Sequence, residues 1–168
     1  MDEATLKELG TRYDIAQLRA RAASEPDRPV RGFNPGAVHV EGWRVSMTET
    51  LRAADERPWL RVVFDALETP MMRVLIDVEE CASPREAVEA LLERLAGNQL
   101  ARLDDGPPEL GFAVFQHPAG APPAIHLARD NLCITVASFG ARPAAVTPWA
   151  ERMTQSLARM LPSERGSS

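Results

Sequence analysis

Residues 59–79 read Trp-Leu-Arg-Val-Val-Phe-Asp-Ala-Leu-Glu-Thr-Pro-Met-Met-Arg-Val-Leu-Ile-Asp-Val-Glu. Leu60, Val62 and Phe64 alternate with Trp59, Arg61 and Asp65. Met72, Val74, Ile76 and Val78 alternate with Arg73, Leu75, Asp77 and Glu79. A period of two is the signature of a strand with one face buried. Glu68-Thr69-Pro70 is a tight turn between the two runs, and so short a turn joins only antiparallel neighbours. The expected strands are Leu60–Ala66 and Met72–Glu79.

A helix start follows at once. Ser83 can cap, Pro84 suits the first helical position, and Glu86 completes a capping box. Ala87, Val88, Leu91, Leu92 and Leu95 form one stripe, and Gly97-Asn98 ends the helix. The unit then occurs again. Pro123–Ala128 and Leu132–Ala137 are short strands around Asp130-Asn131, and Thr147-Pro148 opens a helix bearing Trp149, Met153, Leu157, Met160 and Leu161. A two-residue turn at Asp130-Asn131 sets Leu127 opposite Ile134 and Ile125 opposite Val136. The other face of that hairpin carries Ala124, His126, Ala128, Cys133, Thr135 and Ala137, so something must pack closely there or leave a pocket.

Working outward, residues 38–51 read as a strand, with Trp43, Val45 and Met47 opposite Arg44, Ser46 and Thr48. Leu110, Phe112 and Val114 begin a further strand, after an Asp104–Pro108 loop. The expected fold is α+β: an antiparallel sheet of five to six strands, a meander plus hairpins, packed with two or three helices in two loosely repeated strand-strand-helix units. Residues 1–23 read as an N-terminal helix that Gly10 can split, and 24–36 as a Pro/Gly-rich linker. Residues 37–161 form the α+β domain, and 162–168 a polar tail without fixed structure. Helices are expected near 2–22, 83–96 and 147–161.

The length of 168 residues suits one core. With 45% hydrophobic and 26% charged residues the composition is ordinary for a globular chain. Met1–Gly10 lacks the apolar centre of a signal peptide, and no apolar run approaches the roughly 18 residues of a membrane span. The expected location is cytoplasmic; an exported protein without its leader would look the same. Eight acids and three arginines between Asp77 and Asp105 account for the whole net charge of −5. That balance argues against a nucleic-acid partner, whose phosphates require a basic patch. It reads as a solvated face or as a docking surface for a basic partner. The basic residues are eighteen arginines and Lys7, a bias that a GC-rich genome explains.

No metalloprotease, phosphate-loop, nucleophile-elbow or dinucleotide motif occurs, and no cofactor or metal is expected. The histidines His39, His117 and His126 lack ligand spacing. Cys81 and Cys133 make no disulfide framework and read as free thiols, with a single bridge as the alternative. Glu79-Glu80 and Asp104-Asp105 read as exposed, solvating carboxylates. His126 and Cys133 share a sheet face in adjacent cross-strand pairs, which could make a nucleophile and its base. Trp59, Val63 and Leu75 make a second apolar face, flanked by Arg61 and Arg73; the N-terminal helix or a partner would cover it.

The order helix, three strands, helix, two or three strands, helix, together with the acidity, resembles bacterial type III secretion chaperones. The same elements are similar to the sandwich of Mog1/PsbP-like domains, whose antiparallel sheet lies between helices. Both resemblances imply a non-catalytic accessory protein that binds a protein partner, with a homodimer as one form. The alternative is a small-molecule-binding protein or small enzyme with a pocket near His126, Thr135 and Cys133.

Overall fold

The computed structural model describes residues 1–26, 28–52, 57–100 and 102–160. The expected tail at 162–168 and the stripe residue Leu161 lie outside them. The fold is α+β, with one antiparallel sheet in the order β1-β2-β3-β7-β6-β5-β4. Its strands are β1 (Trp43–Arg52), β2 (Pro58–Ala66), β3 (Arg73–Glu80), β4 (Asp104–Asp105), β5 (Ala113–Gln116), β6 (Ala124–Arg129) and β7 (Leu132–Ser138). The helices are α1 (Glu3–Gly10), α2 (Ile15–Ser24), α3 (Pro84–Gly97) and α4 (Thr147–Met160).

The alternation in residues 59–79 does what it must. Val62 pairs with Ile76 and Phe64 with Val74 on one face, while Arg61 pairs with Asp77 and Val63 with Leu75 on the other. The hairpin register at Asp130-Asn131 is the expected one: Leu127 faces Ile134 and Ile125 faces Val136. β3 joins β7, so the two strand-strand-helix units share one continuous sheet. The described residues form seven strands where five to six were expected, because Asp104-Asp105 is not a loop but a two-residue strand on β5. β5 also starts later than expected. Leu110 belongs to a short 3-10 turn at Pro108–Leu110, and Leu110 and Phe112 pack into opposite cores.

The two faces are covered differently. On one, Trp149, Met153 and Leu157 of α4 lie in a core with Val62, Phe64, Ile76, Ile134 and Val136. Trp149 meets Phe64 at 4.6 Å and Trp43 at 5.1 Å between ring centroids. On the other, α3 lies over the small side chains Ala113, Ala128 and Cys133, and α1, α2 and the link between them join this core through Leu9, Leu18, Ala22 and Tyr13. Close packing on the small-residue face is therefore what the Ala/Cys pattern serves. Gly10 does end α1, and Thr11–Asp14 separates it from α2, where Asp14 caps by accepting from the Gln17 amide.

The Pro/Gly-rich stretch after α2 is docked. Val30 and Phe33 are buried in the α4-side core. The fully buried Asn131 holds this stretch, accepting from the Val30 amide (2.6 Å) and donating to the carbonyls of Val30 (3.1 Å) and Cys81 (2.7 Å). The β2–β3 turn needs a glycine elsewhere: a Cβ at Gly140 would collide with the carbonyl oxygen of Met71, which sits at φ 68°.

Candidate functional site

On the α3 face the register lines up a rank of polar residues across the sheet: Glu49, Arg61, Asp77, Thr135 and His126, in neighbouring strands. The next rank holds Leu51, Trp59, Glu79, Cys133 and Ala128. α3 adds Arg94 from above. Arg94 follows Ala87 and Leu91 at helical spacing, so the stripe that buries leucines also drives a guanidinium onto the sheet.

The charges pair closely. Arg61 grips Asp77 through two parallel bonds of 2.9 Å. Arg94 reaches Glu79 at 3.2 Å and Asp77 at 3.9 Å. Arg57 bridges Glu79 (2.9 Å) and Glu93 (3.1 Å). Asp77 and Glu79 are only 5% and 4% exposed, which corrects the expectation of a solvated Glu79. A carboxylate stays ionised at such burial only with cations beside it. Here three arginines serve two carboxylates.

Trp59 lies in this cluster, half-buried, with the guanidinium of Arg94 5.2 Å and that of Arg61 5.9 Å from its ring centroid. Its Nε1 has no hydrogen-bond partner among the described residues. Val63 is buried and Leu75 half-buried in the adjacent rank, with Met47 next to Val63 on the edge strand. The N-terminal helices are not seen over this patch; their buried residues belong to the core beneath α3. Arg73, in the next rank on the same face, pairs with Asp65 at 3.1 Å.

The other end of the rank brings His126 and Thr135 together, with His126 Nδ1 3.0 Å from Thr135 Oγ1. Proton positions follow from the partners. The Pro122 carbonyl can only accept, so His117 Nδ1 donates to it at 2.8 Å and its Nε2 is bare. Asn98 Oδ1 accepts from the Leu100 amide (2.9 Å), leaving Nδ2 to donate to His117 Nε2 at 3.1 Å. His126 Nε2 lies 3.4 Å from that same atom, whose one lone pair Asn98 already uses. Its Nδ1 is within hydrogen-bond reach of Thr135 Oγ1, which accepts from Arg94 Nη1 at 3.0 Å. Burial, His117 and Arg94 together push the His126 pKa from 6.5 down to about 4.

Cys133 comes close in sequence register but not in chemistry. It is fully buried beneath α3, paired with Ala128, and burial raises its thiol to about 11. A protonated, enclosed thiol supplies no nucleophile at neutral pH. Both cysteines are free. Among the described residues no group of three or more His, Cys, Asp or Glu side chains is placed to hold a metal.

Sequence reasoning read Arg61 only as a flank of the Trp59 face and Glu79 as solvated, and gave no role to Asp77 or Arg94. The signal was available: an arginine on the apolar stripe of α3, and two acids alternating with Ile76 and Val78. No protein family matches the chain, and no curated protein or solved structure matches it either. No helix among the described residues is long and apolar enough to cross a membrane.

Proposed function

We propose that the chain is a non-catalytic binding protein that takes an extended segment of a protein partner along the β1 side of its sheet. One observation carries this. β1 is a ten-residue edge strand whose outer backbone has no strand beside it among the described residues. Val45 and Met47 on it are 42% and 41% exposed and sit on opposite faces. The opposite edge is guarded by a strand of two residues, both Asp. A short edge made only of acids resists pairing, and a long one that shows apolar side chains between its charges, as β1 does around Arg44, Glu49 and Arg52, is open to it. Met47 is exposed and pairs with the buried Val63, so a segment added to β1 meets an apolar side chain as well as backbone groups. The bulge between Val45 and Met47 limits the regular run to Met47–Arg52, the length of a short peptide and not of a long strand-to-strand dimer.

An accessory role of the secretion-chaperone kind, in a bacterial setting, accords with this reading through the order of elements. Selection of displayed random peptides on the immobilised protein tests it, followed by amide exchange of each complex. Slowed exchange within 47–52 is expected, with loss of binding in Thr48→Pro. Protection confined to α3 and His126 would overturn it in favour of a ligand site there. A concentration-dependent doubling of mass with the same protection would make a second copy the occupant.

A further inference from the structure

We propose that His117 and His126 form a binding site for a divalent transition-metal ion of the zinc class, held by the two Nε2 atoms and completed by water. The inference is independent of the partner reading and stands on geometry. The two Nε2 atoms face each other at 3.4 Å. That is long for an N–H···N hydrogen bond, which prefers about 3 Å. It is the spacing that two imidazole nitrogens take on a tetrahedral ion, since Zn–N bonds of about 2.0–2.1 Å place neighbouring ligands about 3.3–3.4 Å apart.

The outer shell is already in place. Metal-bound histidines anchor the far ring nitrogen to an oxygen, which fixes the ring. His117 Nδ1 donates to the Pro122 carbonyl at 2.8 Å, inside the stiff His117–Pro123 loop. His126 Nδ1 lies 3.0 Å from Thr135 Oγ1. Binding requires the His126 proton on Nδ1, donated to Thr135 Oγ1, with the Thr135 hydroxyl hydrogen turned away from the ring. No proton need leave the pair, and the bond from Asn98 Nδ2 to His117 Nε2 is forfeited. Asn98 stays anchored through Oδ1 and the Leu100 amide.

The charges around the pair act in both directions. Asn98 is the C-cap of α3, so the pair sits at the negative end of a 14-residue helix. Against it stands Arg94, which lies beyond Thr135 and is held by Glu79 and Asp77, but which with burial disfavours positive charge on His126. Imidazole is a favoured ligand for zinc and copper. Both rings are half-buried, so water can reach the open positions.

The test is calorimetric titration of zinc sulfate into the untagged full-length protein at pH 7.5. One equivalent should bind saturably. Losing an outer-shell partner alone costs about 10–100-fold in metal affinity, so His117→Gln and His126→Gln should each lose at least that much. His39→Gln, an exposed histidine far from the pair in sequence, should bind as wild type does. Because His126 is packed and its variant can misfold, imidazole nitrogen NMR of the wild type gives a second readout: zinc should shift both Nε2 signals. No saturable binding by the wild type, binding that survives His117→Gln, or a shift of only one ring would overturn the proposal.

Discussion

The two faces of one sheet are built from the same strands and differ by a single step of register. On the α4 face the ranks read Val62, Ile76, Val136, Ile125 and Leu60, Val78, Ile134, Leu127. On the α3 face they read Arg61, Asp77, Thr135, His126 and Trp59, Glu79, Cys133, Ala128. The first is held by apolar burial, which is non-directional and tolerant of small shifts. The second is held by pairs whose members are costly when left alone. One face is therefore suited to stability and the other to specific placement of polar groups.

The sharpest way to break this contrast is to orphan a charge. Glu79→Ala leaves Arg94 buried with a poorer set of partners. Removing one member of a buried pair costs about 3–5 kcal/mol, read from denaturant melts. The double variant Glu79→Met, Arg94→Leu should recover most of that loss, because apolar groups of similar size restore the balance. A double variant as unstable as the single one would mean that packing, not charge, fails.

The apolar face answers to volume alone. Ile134→Ala and, beneath the α3 face, Leu91→Ala truncate side chains with no exposure. Each should cost about 2–5 kcal/mol. Losses under about 0.5 kcal/mol would mean that neither site is a packed core.

Acid distinguishes the faces as well. His126 stays neutral in the folded protein down to about pH 4, while the unfolded chain takes up that proton near 6.5. Between these values the unfolded state binds more protons, so stability falls as pH drops. The stability is fully present above about 6.5, and the loss on reaching pH 4 is about 3 kcal/mol. His126→Gln should flatten that part of the pH profile. An unchanged slope would assign the acid response to other groups.

The smallest effect is expected at a cap. Ser83 accepts from the Glu86 amide at 3.3 Å, and Glu86 returns a carboxylate to the Ala82 amide at 2.9 Å. Ser83→Ala should cost about 1 kcal/mol, and the change should leave the polar rank of the α3 face intact by histidine NMR.

What could be read from the sequence divides along the same line. Strong periods gave β2, β3, β6, β7, α3 and α4 within a residue or two, because burial on one face writes itself into every second or every third to fourth position. β4 carries two residues and hence no period, and it exists only because β5 offers it an edge. The burial of Glu79 was hidden for another reason. A local reading treats a carboxylate as solvated, and its partners Arg57 and Arg94 come from other elements. The histidine pair was closer to legible. Gln116 pairs with Ile125, so the β5–β6 register sets His117 diagonal to His126 on the same face. Only the late start of β5 at Ala113 obscured it.

The single amide of Asn131 imposes an order in time. It fastens residues 101 positions apart, so Val30 cannot be secured until the β6–β7 turn exists. Chains leave the ribosome at about 5–20 residues per second, which leaves the N-terminal arm waiting about 5–20 s. During that wait Val30 and Phe33 lack the β6, β7 and α4 part of their core. Ribosome-stalled chains ending before residue 130 should be cut by protease within the stretch after α2, and chains long enough to expose the completed sheet should resist.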